Sequence, residues 1–147
     1  AGLSGKKLTP PFTPWTPPKD LAAFVADLPI DQSVPPVAGA VGGATAAKQT
    51  LADFVELKLK RYGEERNAPD DPARNAASGL SWALHYGYAS IQEVAEAVLG
   101  DGWTVEQINP KTRNKDDFFC RDANVNGFLD EAITWRDVGF QWNFARS

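Results

Sequence analysis

The chain has 147 residues, a mass of 16.0 kDa and 43% hydrophobic residues, which is about one domain's worth of sequence and excludes a disordered segment. A net charge of −4 and a pI near 4.9 exclude a domain that grips nucleic acid mainly by neutralising phosphates, so any such contact must come from a local patch or from residues outside this chain. A single cysteine, Cys120, excludes an internal disulfide, and no apolar run approaches the roughly twenty residues of a membrane span, so a soluble cytoplasmic protein is expected.

Residues 1–43 read as a connector, because prolines at 10, 11, 14, 17, 18, 29, 35 and 36 forbid long helices and favour extended backbone. Leu21, Phe24, Val25 and Leu28 still keep helical spacing, which predicts a short helix from Lys19 to Asp27. Residues 44–147 read as a helical domain. Ala47, Leu51, Phe54, Val55, Leu59 and Tyr62 recur in steps of three and four, predicting a helix over 44–66 that stops before Asn67-Ala68-Pro69. A polar loop from Asp70 to Ala76 leads to a short helix that starts at Ser78 and ends near Gly87.

Ser90, with Glu93 three residues on, has capping-box spacing ahead of an apolar stripe of Ile91, Val94, Ala95, Val98 and Leu99. Gly100 should terminate that helix. Residues 101–125 are polar and turn-rich, with a weak helical signal from Val105 to Ile108. The last helix is predicted over 127–144. Its apolar positions, Phe128, Leu129, Ala132, Ile133, Trp135, Val138, Phe140, Trp142 and Phe144, go almost all the way round. Such a helix is expected in the middle of a larger structure than this sequence can build, which predicts an incomplete domain. No segment alternates with period two, so the fold class is all-α.

Several chemical signatures are incomplete. Asp122, Asn124, Asn126 and Gly127 imitate the opening of a calcium loop, but the twelfth position is Ile133, which offers no oxygen. Glu131 comes two places early, and a turn preceding a helix explains the same residues. One histidine, His85, and one cysteine are too few for a structural zinc. Gly42-Gly43 lacks the Lys-Ser/Thr of a phosphate loop.

Three segments carry a functional reading. They are Tyr62-Gly-Glu-Glu-Arg66-Asn67-Ala-Pro69, Ser78-Gly-Leu-Ser81-Trp-Ala-Leu-His85-Tyr-Gly87, and Phe128-Leu-Asp-Glu131-Ala-Ile-Thr-Trp135-Arg136-Asp137. The second puts two hydroxyls, Ser78 and Ser81, and free backbone N–H groups at a helix start, which attracts an anion. Ser78 as a plain N-cap explains the same residues. In the third, Glu131 and Trp135 share a helical face, with Arg136 about 100° round from Trp135. Charges on an otherwise apolar helix need partners, either each other or a polar ligand.

In this order the segments resemble the flavin-binding domain of the photolyase and cryptochrome family, most closely class II cyclobutane pyrimidine dimer photolyases. The resemblance runs from about residue 28 to 146. Ile30-Asp-Gln-Ser-Val-Pro35, Arg66-Asn67-x-Pro69, Leu80-Ser-x-x-Leu-His85-Tyr-Gly87, and Glu131 four residues before Trp135 carry it. Ala77, where many relatives have a hydroxyl or amide, and Trp82-Ala83, in place of a Pro–aromatic pair, depart from it.

The resemblance implies the first half of an all-α FAD-binding domain from a light-driven lyase that splits pyrimidine dimers in UV-damaged DNA. By position, Tyr62, Ser78, Leu80, Ser81 and Arg136 would hold FAD. Glu131 would hydrogen-bond to the flipped dimer and Trp135 would stack on it. Arg136 is expected to turn toward the Ser78–Ser81 helix start as a counter-cation to a phosphate there. This chain alone is expected to hold FAD weakly or not at all. A second polypeptide or self-association is expected to cover its exposed core. A helical interaction module without flavin and a cryptochrome-like sensor are the competing readings.

Overall fold

The computed structural model describes residues 16–68, 70–112 and 117–146, and every regular element among them is helical, with no strand. The fold is all-α. Pro69, at the end of the first motif segment, and the prolines at 10, 11 and 14 lie outside the described residues. No helix among the described residues is long and apolar enough to cross a membrane. The chain divides into two compact units, Ala1–Ala40 and Val41–Ser147.

In the first unit the only described helix is α1 (Leu21–Ala26), narrower than the predicted Lys19–Asp27 span. Asp20 caps it by accepting from the Ala23 N–H at 3.0 Å, and Leu21, Phe24 and Val25 stay exposed.

The second unit rests on two long helical runs, 44–65 and 123–144. The first is not the regular helix that its spacing predicts. It passes from α2 (Ala44–Asp53) through a π-helical stretch (Phe54–Lys58) and a 3-10 turn (Leu59–Arg61) into α3 (Tyr62–Glu65). The departure follows burial. Beyond Ala47, the buried side chains are Phe54, Leu59 and Tyr62, in steps of five and three, whereas a regular helix repeats in steps of three and four. The backbone matches them: Leu59 N–H donates to the Phe54 carbonyl and Tyr62 N–H to the Leu59 carbonyl.

Between the runs, α4 (Ser81–His85) begins three residues later than predicted, because Ser78-Gly79-Leu80 forms a turn instead of the first helical residues. Gly79 takes a φ of 70°, a left-handed conformation that glycine adopts without steric cost. Helix α5 (Ile91–Leu99) has its capping box formed in both directions, and Gly100 ends it at φ 76°.

The second run starts at Ala123, not near Gly127 as the spacing suggests. Asp122 caps it by accepting from the N–H groups of Asn124 and Val125 at 2.8 and 3.1 Å. The supposed turn is therefore the cap and first turn of α6 (Ala123–Leu129), which continues through a π-helical stretch (Asp130–Trp135) into α7 (Arg136–Phe144).

The runs meet at Phe54, Tyr62 and Phe128, whose ring centroids lie 4.7 to 5.9 Å apart. Around this trio Leu59, Leu80, Ala83, Val94, Val98, Phe119, Val125 and Leu129 complete one core. Helix α7 lies outside it, with Val138, Phe140, Trp142 and Phe144 between 51% and 82% exposed.

Candidate functional site

At the junction of the two runs stand three polar side chains. Tyr62 is held in the core, edge-on to Phe128 and Phe54, by the 3-10 turn that precedes it. One helical turn later, Arg66 reaches across to Glu131, Nη1 to Oε1 at 2.8 Å, with its guanidinium carbon 5.4 Å from the Tyr62 ring centre. Hydrogen bonds to Tyr62 first and Glu131 second hold the Arg66 guanidinium above its ordinary pKa. Both ends of the pair remain partly open to solvent, 28% and 40% exposed, so the bridge contributes only about 0.2–1 kcal/mol to stability. Its chemical consequence is orientation. One Glu131 oxygen is engaged, and the other makes no hydrogen bond among the described residues and remains an acceptor on a side chain 40% exposed.

The other assigned side chains are placed separately. Leu80 is 1% exposed and belongs to the core. Ser78 Oγ accepts from the Leu80 N–H at 3.3 Å, while Ser81, the first residue of α4, is exposed. Trp135 is 55% exposed at the end of the second π-helical stretch. Arg136 lies along its own helix, 4.9 Å over the Phe140 ring and 3.5 Å from Asp137, and makes no contact with Ser78 or Ser81 among the described residues.

Two polar residues at this junction are read from the sequence only in other settings, Arg66 within the Arg66-Asn67-x-Pro69 motif and Asn124 within the imitated calcium loop. Arg66 is the partner of Glu131, a pairing across 65 positions that no helical periodicity reveals. Asn124 joins the runs through its amide, accepting from the Gly63 N–H at 2.8 Å and donating to the Lys60 carbonyl at 3.0 Å. The one available signal was an Asn-x-Asn pair just inside a helix start, where a short polar side chain competes for backbone groups.

Among the described residues, the side chains assigned to FAD by position stand apart from one another. Tyr62 and Leu80 are buried, and Ser78 is engaged with its own turn. A groove of about 720 Å³ is lined by Phe118, Phe119, Ile133, Val138 and Trp142 among others, none of them assigned to FAD. Grooves of about 370 and 420 Å³ beside Lys48 and Leu51 likewise contain no assigned residue.

No family model matches the chain, and no solved structure matches it. A deoxyribodipyrimidine photo-lyase of Potorous tridactylus is 28% identical over 127 residues, covering 86% of this chain and 20% of that protein. The chain thus spans about a fifth of the length of that curated relative. The chain is similar to the photolyase family at large, and the similarity does not single out class II.

Proposed function

We propose that this chain is a helical segment of a light-driven, flavin-dependent DNA repair protein of the photolyase kind, close to class II. The observation that carries this reading is the similarity to a photo-lyase over 86% of the chain. The Arg66–Glu131 pair at the Tyr62 junction is consistent with it, because it presents an oriented carboxylate at the surface. In this reading Glu131 and Trp135 contact the lesion, and Tyr62, Ser78, Leu80, Ser81 and Arg136 belong to one wall of the FAD site. FAD carries the redox chemistry of such a protein, and the chain supplies only that wall.

The experiment is intact-mass and absorbance analysis of the protein purified from cells, scored for a second polypeptide and for flavin. Co-purification of both supports the reading. In that complemented protein, Arg136→Ala should lower FAD content, and Trp135→Ala should weaken binding of dimer-containing DNA by roughly 5- to 150-fold, the equivalent of about 1–3 kcal/mol of stacking. The isolated 147 residues should lose FAD on gel filtration; stoichiometric retention would overturn the one-wall reading.

A second reading, a helical interaction module without flavin, is favoured by the exposed aromatic surface of α7. A protein that stays colourless while capturing a second polypeptide decides for it.

A further inference from the structure

We propose that Asn124 is a positioning residue for the candidate site: its amide locks the break in the first helical run and so sets where Tyr62 and Arg66 stand against Glu131. The inference rests on the reading of the Tyr62–Arg66–Glu131 junction as functional.

The break creates the need. Tyr62 N–H takes in an i→i+3 bond the Leu59 carbonyl that a regular α-helix would offer to the Gly63 N–H, and the Gly63 N–H turns to Asn124 instead. Asn124 answers with both ends of its amide, Oδ1 to the Gly63 N–H and Nδ2 to the Lys60 carbonyl. One partner is an obligate donor and the other an obligate acceptor, so the amide fits in a single orientation. Gly63 permits the approach, since a Cβ there would lie 3.1 Å from Asn124 Oδ1.

The clasp brackets Tyr62, which lies between the two backbone groups it holds. Seven residues, about two turns, after Asn124 comes Glu131, where the Arg66 pair ties the same two runs again. Slippage of the first run by one residue rotates its side chains by about 100°. That rotation would carry Tyr62 out of its contact with Phe128 and Arg66 away from Glu131. The amide opposes it, because a shifted run would no longer offer the Gly63 N–H and the Lys60 carbonyl to Asn124.

The test uses Asn124→Asp and Asn124→Leu in the full 147-residue chain. An ionised Asp accepts from Gly63 N–H but opposes a second acceptor to the Lys60 carbonyl; a protonated Asp donates to that carbonyl and rebuilds both bonds. The folded state therefore favours the protonated form and raises the introduced group's pKa. Its contribution is present below the unfolded pKa and is lost as pH rises through the folded one. Relative to wild type at each pH, Asn124→Asp should be less stable at pH 7 and recover on acidification. Asn124→Leu should stay deficient throughout.

In Asn124→Leu the Gly63 amide should exchange at least ~10-fold faster, and the nuclear Overhauser contacts between Tyr62 and Phe128 should weaken. Parallel pH profiles for the two variants, with Gly63 exchange unchanged, would overturn the clasp. Intact Tyr62–Phe128 contacts and Arg66 resonances in Asn124→Leu would overturn the positioning role. None of these readouts involves flavin or DNA, so failure of the photolyase reading shows separately, as a complemented protein without FAD.

Discussion

Phe54 and Trp135 are both large aromatics on the long runs, and their surroundings are opposite. Phe54 is wholly enclosed, 4.7 Å from Phe128 and 5.9 Å from Tyr62 between ring centres. Its removal leaves a cavity at the junction of the runs, so Phe54→Ala should cost about 3–5 kcal/mol. Trp135 is more than half exposed, and Trp135→Ala should change the stability of this chain by less than about 1 kcal/mol. Urea denaturation of the two variants checks the contrast. A loss of several kcal/mol for Trp135→Ala would place that indole in a core and remove it from any stacking role. At the same scale the segment from Asp122 to Asn126 shows what a sequence conceals. As a calcium loop it lacks its last ligand, yet each polar residue has an employment: Asp122 caps, Asn124 clasps the other run, and Asn126, 1% exposed, accepts from Phe119 N–H at 2.8 Å. The Asn124 bonds reach backbone groups distant in sequence and leave no period to read.

Local elements were legible where their causes are local. The capping box of α5 needs only Ser90 and Glu93, and both bonds form, Glu93 N–H to Ser90 Oγ at 3.1 Å and Ser90 N–H to the Glu93 carboxylate at 2.8 Å. The irregular first run was not legible, because its steps of five and three are imposed by Phe128 on the partner run and by Asn124. A spacing of three and four fits Ala47, Leu51 and Val55 equally well. The candidate site shares that limit: Glu131 stands out by its place on an apolar helix, but its partner Arg66 emerges only when the runs pack. The capping box also makes a pH prediction. Hydrogen bonds from the Ser90 backbone first and its side chain second hold the Glu93 carboxyl below its ordinary value of 4.5. A depressed folded-state pKa contributes stability above the unfolded value and loses it as pH falls through the folded one. Wild type should therefore melt above Glu93→Gln at pH 7, with the gap closing below pH 4.5. Circular dichroism melts between pH 3 and 7 read this out, and a gap that persists undiminished at the acid end would disconnect the carboxylate from the cap.

For the whole molecule the governing feature is α7, apolar on two sides and outside the core. At 100° per residue, Trp135, Val138 and Trp142 share one side, while Phe140 and Phe144 share the other. Val138 and Trp142 also line the groove of about 720 Å³ whose far wall is Phe118 and Phe119. With aromatics burying about 150–250 Å² each, these partly exposed side chains present roughly 600 Å² of apolar surface. Divided between the two sides, that gives each side an apolar area comparable to the ~300–600 Å² found for the largest patch on a monomer, and below the ~800 Å² each partner contributes to a standard interface. Arg136 over Phe140 and Arg146 over Trp142 soften the patch without covering it. The isolated chain should therefore self-associate as its concentration rises. Because burial of apolar area drives the association, added salt should leave it unchanged or strengthen it, whereas a contact between charges would weaken. The double variant Val138→Lys with Trp142→Glu should be monomeric at the same concentration. It should also melt within a few degrees of wild type, since both positions are more than half exposed. Sedimentation velocity at low and high salt distinguishes these outcomes. A wild-type chain that sediments as a monomer throughout, or a double variant that still associates, would show that α7 is not the surface that needs covering.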